Sequence, residues 1–273
     1  MNAHASTART ERAQPVHIGD HLRGWRQRRH LSQLDLAGDA EISARHLSFV
    51  ETGRAAPSRE MVLKLAERLE VPLRERNVLL VAAGFAPAFL QRALDDPALK
   101  LARQAIDLVL KAHEPNPALA YDRHWNLVSA NRMVAPLLDG VPERLLGQPF
   151  NILRLAFHPE GLAPRTVNLA EWAAHLLERL HRQCEATADP ELLRLYQDLK
   201  RYPIPARAGP ISADNVAIPF KLRHNGEVLS FISTTMVFGT PVDITLSELA
   251  LETFFPADDL TAERLREMAA SMK

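Results

Sequence analysis

The chain has 273 residues, 47% of them hydrophobic and 24% charged, a composition typical of a globular protein with one large domain or two ordinary ones. No stretch reaches the roughly 18 unbroken apolar residues of a membrane span, and the N-terminus lacks the apolar core of a secretory signal. A single cysteine, Cys184, excludes an internal disulfide. We therefore expect a cytoplasmic protein without a membrane partner.

The net charge is zero, but the charges are unevenly distributed along the chain. Residues 1–94 hold 14 Lys/Arg and 10 Asp/Glu, whereas the remainder holds 19 and 23. The basic residues of the first part fall into two groups, Arg23, Arg26, Arg28 and Arg29 and then Arg45, Arg54 and Arg59. Clusters of this kind are typical of a surface that faces nucleic acid.

Five short helices are predicted over residues 18–84, after a flexible N-terminus at 1–17. The first covers about 19–29, and Ser32 and Ser43 are suitable N-caps for the second and third, with Asp35 at the capping-box position. Gly53 ends the third helix. A fourth begins after residues 57–58, and a fifth covers about 74–83. The small Ala37 fits where helices two and three would cross, so the segment 33–54 indicates a helix-turn-helix.

The third helix presents a short polar face between its apolar positions, and such a helix can enter the DNA major groove. Arg45 is the best candidate for reading a base, because Arg donates two hydrogen bonds to guanine. Phe49 could touch a thymine methyl or pack on its own core or a partner subunit, and Gln33 could bind a phosphate or be an ordinary surface residue. The remaining candidates are phosphate contacts or flanking positions on this face: Ser43, Ala44, His46, Ser48, Thr52, Arg54 and Arg59.

A connection and a linking helix are predicted over residues 85–113, before a second domain at 114–273. Strands are expected at about 118–121 and 125–130, then helices at 131–138, 169–185 and 190–201. His224-Asn225-Gly226 is a strong hairpin signal between strands at 216–223 and 227–238. A last strand at 244–255 and a closing helix at 258–272 complete the pattern. Five strands around a helical insert predict an antiparallel sheet with helices on one face, an α+β arrangement close to a PAS fold.

Residues 18–83 resemble the Cro/repressor-type (XRE) helix-turn-helix domain through Ser32-Gln33, Ala37, Ile42-Ser43, Leu47, Val50-Glu51 and Gly53-Arg54. The rest resembles the MmyB-like ligand-binding domain that follows such a helix-turn-helix in many bacterial regulators. HEPNPALAYDRHWNLVSAN (113–131), NILRLAFHPEGL (151–162), EWAAHLLERL (171–180) and the segment 233–258 carry this likeness. Glu41 departs from the pattern, because Gly is usual in that turn. Either Glu41 bears a left-handed strain of about 1 kcal/mol or the turn differs in shape.

The family likeness implies a PAS-like second domain and, in some members, a fatty-acid-like ligand. Arg154 and Arg165 flank the insert and could hold a carboxylate, although the pattern favours surface arginines. Candidates for the cavity lining are Trp172, Leu176, Phe231, Met236 and Phe254, each of which could also be ordinary core. His175 and His181 lie about 240° apart around one helix, so one metal cannot easily take both. His181 and Cys184 could share a metal, but no further ligand is placed, and we expect no metal site.

Catalytic signatures are absent from the sequence, which lacks GxSxG, HExxH, P-loop and GxGxxG motifs. We therefore expect no enzyme, but a transcription regulator that binds operator DNA as a homodimer and senses a small apolar effector. The alternative is a DNA-binding protein whose second domain is a ligand-free dimerisation or protein-interaction module.

Overall fold

The computed structural model describes residues 17–205 and 218–272. The chain divides into two compact units, one ending at Phe89 and one beginning at Leu90. Of the expected flexible segment 1–17, only His17 is among the described residues.

The described part of the first unit consists of five α-helices, as predicted. They are α1 (Ile18–Arg28), α2 (Gln33–Asp39), α3 (Ala44–Glu51), α4 (Arg59–Arg68) and α5 (Leu73–Ala82). Their apolar positions meet in one core that includes the fully buried Leu22, Leu47, Val50 and Leu65. Trp25, on the inward face of α1, is also buried.

The helix ends follow the capping chemistry of the sequence. Ser32 accepts a hydrogen bond from the Asp35 amide while the Asp35 carboxylate accepts one from the Ser32 amide, which completes the capping box. Ser43 caps α3 by accepting from the His46 amide at 3.1 Å. Gly53, at φ +73°, takes the left-handed conformation that terminates α3.

The turn between α2 and α3 keeps its left-handed residue without glycine. Glu41 has φ +53°, so the first of the two alternatives for this turn is the observed one. The Glu41 carboxylate also pairs with the Lys64 ammonium at 2.6 Å. Because Glu41 is largely exposed and Lys64 is partly exposed, solvent weakens this pair and it offsets little of the strain.

The second unit begins with α6 (Lys100–Ala112), preceded by one 3₁₀ turn, and continues with β1 (Ala118–Tyr121) and β2 (Leu127–Ala130). The helical insert contains α7 (Val134–Leu137), α8 (Ile152–Phe157), α9 (Leu169–Thr187) and α10 (Pro190–Leu199). The chain then forms β3 (Phe220–His224), β4 (Glu227–Val237), α11 (Ile244–Ser247), β5 (Ala250–Pro256) and α12 (Asp259–Ser271).

The five described strands form one antiparallel sheet in the order β2-β1-β5-β4-β3. The hairpin between β3 and β4 turns at Asn225 and Gly226, with φ of +50° and +85°. Two successive positive φ values are the signature of a type I′ turn. The predicted PAS-like α+β class is confirmed.

Helices cover both faces of the sheet, so the expectation of helices on one face was wrong. Leu119 and Tyr121 of β1 point into the larger core, which they share with residues of α8, α9, α10 and α12. Ala118 and Ala120 point the other way and pack against Ile106 and Leu110 of α6. Successive strand residues alternate between faces, and β1 buries both.

Two sequence-based boundaries were also wrong. The segment expected as one strand from 244 to 255 begins with the short helix α11, capped by the Asp243 carboxylate, and only then enters β5. Trp125, expected in a strand, lies in the turn before β2 at φ +67°. Asp122 holds that turn by accepting hydrogen bonds from the amides of His124 and Asn126, each at 2.9 Å.

Candidate nucleic-acid interface and ligand cavity

α3, the loop after it and the start of α4 carry the polar side chains predicted to meet DNA. Arg45, Thr52, Arg54 and Arg59 are exposed, and Ala44, His46, Ser48 and Phe49 are partly exposed. The opposite face is buried through Leu47 and Val50. One side of the helix is thus anchored in the core and the other is open, as a recognition helix requires.

Phe49 lies between two arginines. The guanidinium carbon of Arg45 is 5.4 Å from the Phe49 ring centre and that of Arg54 is 6.0 Å away. Cation–π contacts of this length stabilise exposed sites by roughly 0.5–1 kcal/mol each. They bring two long side chains together beside a partly exposed ring, and the contact of Phe49 with a thymine methyl or a partner subunit stays a prediction.

The end of α3 is fixed by a buried carboxylate. Glu51 is 2% exposed and accepts hydrogen bonds from Arg26 Nε and Nη2, at 2.7 and 2.9 Å, and from Gln33 Nε2 at 2.8 Å. Burial alone would raise the pKa of Glu51, but the hydrogen bonds from Arg26 and Gln33 outweigh it and lower the pKa below its ordinary value of 4.5. The carboxylate therefore ties α1, α2 and α3 together in its charged form.

Gln33 consequently has a structural partner that the sequence did not indicate. Its amide nitrogen is bonded to Glu51, while a contact of this residue with a phosphate stays a prediction. The sequence offered one signal for this contact. Glu51 is an acidic residue directly after the buried Val50, on a side of α3 that is otherwise apolar.

α1 approaches the end of α3 at Gly19, a buried position. A Cβ atom on Gly19 would lie 2.5 Å from the carbonyl oxygen of Glu51 and 2.6 Å from that of Val50. No side chain fits there without moving the backbone of α3. Sequence reasoning missed this contact, because a glycine at a helix start carries no distinctive signal.

The second unit encloses an apolar cavity of about 120 Å³ between the sheet and the helical insert. Trp172 and Leu176 of α9, Phe231 of β4 and Phe254 of β5 line it, as predicted from the sequence. Residues of α7 and α8 complete the wall, together with Trp125, Phe150 and Phe220. Its volume is somewhat smaller than the roughly 150 Å³ of a cavity that binds benzene.

Two residues predicted for this site lie elsewhere. Met236 was expected to face inward, but it is 40% exposed and does not line the cavity. It lies five residues after Phe231 in a strand with unbroken register, so it points to the opposite face of the sheet. Arg154 points to the surface and pairs with Asp198 at 2.8 Å, so its expected position at the cavity is wrong. Arg165 donates to the carbonyl oxygen of Leu137 and is likewise outside the lining.

Glu252 of β5 is the one charged residue in the cavity lining within the described chain. Its carboxylate pairs with Arg179 of α9 at 2.9 Å and accepts hydrogen bonds from the hydroxyls of Thr235 at 3.0 Å and Tyr121 at 3.3 Å. Burial, followed by the Glu252 charge, raises the pKa of Tyr121, so this phenol stays protonated and donates.

Across the described ranges, no group of three or more His, Cys, Asp or Glu side chains could hold a metal ion. Cys184 is buried, and this burial raises the pKa of its thiol. Neither His181 nor Cys184 acquires the additional ligands that a shared metal would need within these residues.

Two family models match the chain, one to each unit. The model of the MmyB-like transcription regulator ligand binding domain matches residues 102–268, well over half of the chain. The chain belongs to this family. A helix-turn-helix domain model matches residues 17–79 of this MmyB-like protein. Together the two matches make it a DNA-binding transcription regulator with a ligand-binding domain.

Comparison with individual proteins adds little to the family match. A crystal structure of the clp gene regulator ClgR from Corynebacterium glutamicum aligns with 36% of the MmyB-like chain and 90% of its own, at 23% identity and a TM-score of 0.22. No curated protein matches. Among the described helices, none has the length and apolar character needed to cross a bilayer.

Proposed function

We propose that this MmyB-like regulator is a cytoplasmic protein of the XRE type that binds a near-palindromic operator as a homodimer. In this proposal α3 reads bases and the cavity of the second unit holds a small apolar effector. The observation that carries the DNA-binding part is the open face of α3, with Arg45 and Arg54 held in place by Phe49.

The roles of the two arginines differ in this proposal. Arg45, in the first turn of α3, donates to guanine, whereas Arg54, in the loop after α3, meets a phosphate together with Thr52, Arg59 and Gln33. Ser43, Ala44, His46 and Ser48 flank Arg45 on the same face, and Ser43 also caps the helix.

Arg45→Ala and Arg54→Ala test this division of roles. Once selection from random oligonucleotides has supplied an operator, Arg45→Ala should lose about 1–3 kcal/mol of specific binding and little non-specific binding. Arg54→Ala should weaken both alike and reduce the salt dependence. Fluorescence anisotropy with operator and scrambled duplexes measures both, and equal losses for Arg45→Ala on the two duplexes would contradict the base-reading role.

For the homodimer we propose the outer face of α6 as the pairing surface. Leu101 and Leu108 are 80% and 67% exposed, and with the exposed Ala105 and Ala112 they form a row spaced by 4, 3 and 4 residues. This is the heptad spacing of a helix pair, and it lies opposite the face of α6 that Ile106 and Leu110 bury. A second copy of α6 offers the same row, as a two-fold axis requires.

A Leu101→Glu/Leu108→Glu variant tests this surface by multi-angle light scattering on the full chain. The variant should be monomeric where the wild type is dimeric, and Leu193→Glu, a control at an exposed leucine of α10, should stay dimeric. A monomeric wild type, on and off DNA, would refute the dimer.

The effector proposal rests on the cavity, which favours a ligand-binding domain over the alternative of a ligand-free interaction module. The family likeness suggests a fatty-acid-like ligand. At about 120 Å³, the cavity in this conformation accommodates a short chain or a single ring, and a long acyl chain would have to enlarge it. Native mass spectrometry of the purified protein tests for a bound apolar molecule.

A further inference from the structure

The ligand cavity is apolar except at one point, where Glu252 forms part of its wall. This carboxylate is 5% exposed. Burying an ionised carboxylate costs several kcal/mol unless it is paired and hydrogen-bonded. The stability of an apolar cavity does not require a carboxylate in its wall. The hydrogen-bond partners of Glu252 therefore indicate what kind of molecule the site accepts.

The positive charge beside Glu252, the guanidinium of Arg179, is already paired. Arg179 Nη1 donates to both carboxylate oxygens, and its Nη2 donates to the hydroxyls of Tyr121 and Thr235. The guanidinium also lies over the Trp125 ring at 4.7 Å from its centre. Arg179 and Glu252 therefore neutralise each other, and Arg179 is held in a fixed orientation by four groups.

The two oxygens of Glu252 differ in how fully they are bonded. Oε2 accepts from Arg179, Tyr121 and Thr235 at 2.9, 3.3 and 3.0 Å. Among the described residues Oε1 accepts only from Arg179, at 3.2 Å. A carboxylate oxygen commonly accepts two or more hydrogen bonds, so Oε1 retains capacity for at least one more donor.

We propose that the effector is a small neutral amphiphile, an aliphatic alcohol, phenol or amide of about six to eight carbons, whose terminal O–H or N–H donates to Glu252. This inference rests on the proposed effector site and specifies its chemistry. A free carboxylate would bring a second negative charge to Glu252 in a low-dielectric site, which disfavours it strongly. A fatty acid would enter only in its protonated form.

The size and shape of the wall agree with this class of ligand. A volume of about 120 Å³ is somewhat smaller than the roughly 150 Å³ that accepts benzene, so a six-carbon ring or chain fills the cavity and an eight-carbon chain widens it. The aromatic rings of Trp172, Phe220 and Phe254 surround it and offer faces and edges to a ring or a short chain.

Four probes of matched length test the proposal on the full chain at pH 7.5: 1-octanol, octanamide, octanoate and octylammonium. Fluorescence of Trp125 and Trp172 follows binding, with calorimetry as a second readout. Octanol and octanamide should bind at least tenfold more tightly than octanoate or octylammonium. If octanoate binds as tightly as octanol, the inference is wrong while the proposed effector site stands. If none of the four binds, the effector site itself is refuted.

Glu252→Gln tests whether Glu252 causes the preference for octanol over octanoate. The variant removes the negative charge and leaves Arg179 uncompensated, so octanoate should gain at least tenfold relative to octanol. Arg179→Gln/Glu252→Gln, which removes both charges, covers the case in which the single variant does not fold. In this double variant the preference for octanol over octanoate should fall at least threefold. An unchanged preference in the folded variant would overturn the role of Glu252.

Discussion

The contact between α1 and α3 at Gly19 gives the sharpest stability prediction, Gly19→Ala. The added Cβ atom would meet two backbone carbonyl oxygens of α3, at 2.5 and 2.6 Å, about 0.8 Å inside a normal carbon–oxygen contact. Alanine improves helix propensity by about 1 kcal/mol, but overpacking against a backbone that cannot rotate away costs about 1–3 kcal/mol or more. Because both overlaps are with backbone atoms, the cost lies at the upper end of this range, and the variant should be destabilised by about 2 kcal/mol.

Gly24→Ala is the matched control in the same helix. The nearest atom to its added Cβ is the Arg28 guanidinium nitrogen at 3.8 Å, so this variant should be stabilised by about 0.5–1 kcal/mol. Hydrogen exchange of peptides from residues 17–89 in the full chain reports the unfolding free energy of the first unit separately. Operator affinity should fall with Gly19→Ala alone, because α3 shifts. Equal or greater protection in Gly19→Ala than in Gly24→Ala would refute the argument.

Three further predictions concern other single contacts. Because folding lowers the pKa of Glu51, its carboxylate should stabilise the folded state above pH 4.5. This stabilisation should be lost as the pH falls through the folded pKa. Glu51→Gln should flatten this dependence of stability on pH, as measured by urea unfolding between pH 3 and 7. Asn131→Ala should destabilise the second unit by about 1–3 kcal/mol. The buried Asn131 side chain donates to the carbonyl oxygens of Leu110 and Asn116 and accepts from the Ala118 amide. Hydrogen exchange of the α6 amides measures the loss. Gly226→Ala, at φ +85°, should cost about 1–2 kcal/mol in thermal unfolding, whereas Asn225→Gly should change little.

The features that the sequence predicted are those governed by local chemistry. Ser32, Ser43 and Gly53 mark helix ends through their own side chain or lack of one, and Asn225-Gly226 specifies its turn. The i, i+4, i+8 row of Trp172, Leu176 and Leu180 on α9 identified one wall of the cavity, because a buried face repeats with the helix period.

The features that it did not predict depend on contacts between distant segments. Glu51 meets Arg26 and Gln33, and Glu252 meets Arg179, across separations that no periodicity encodes. Met236 is a different case, because strand alternation places it on the face opposite Phe231, and the two could not both line one cavity. Arg154 was assigned to the cavity on charge alone, whereas its partner Asp198 lies on the neighbouring helix α10.

β1 separates the effector cavity from α6 by the thickness of a single strand. Leu119 forms part of the cavity wall, and the next residue on either side, Ala118 or Ala120, rests against α6. Methyl groups have no rotamers with which to absorb a displacement, so a molecule that widens the cavity presses the strand and α6 outward together. A change in the hydrogen-exchange rates of the α6 amides on adding octanol would show this displacement. If α6 also pairs the two subunits, as proposed, a change of a few atoms inside one protomer reaches the proposed dimer contact through a single strand.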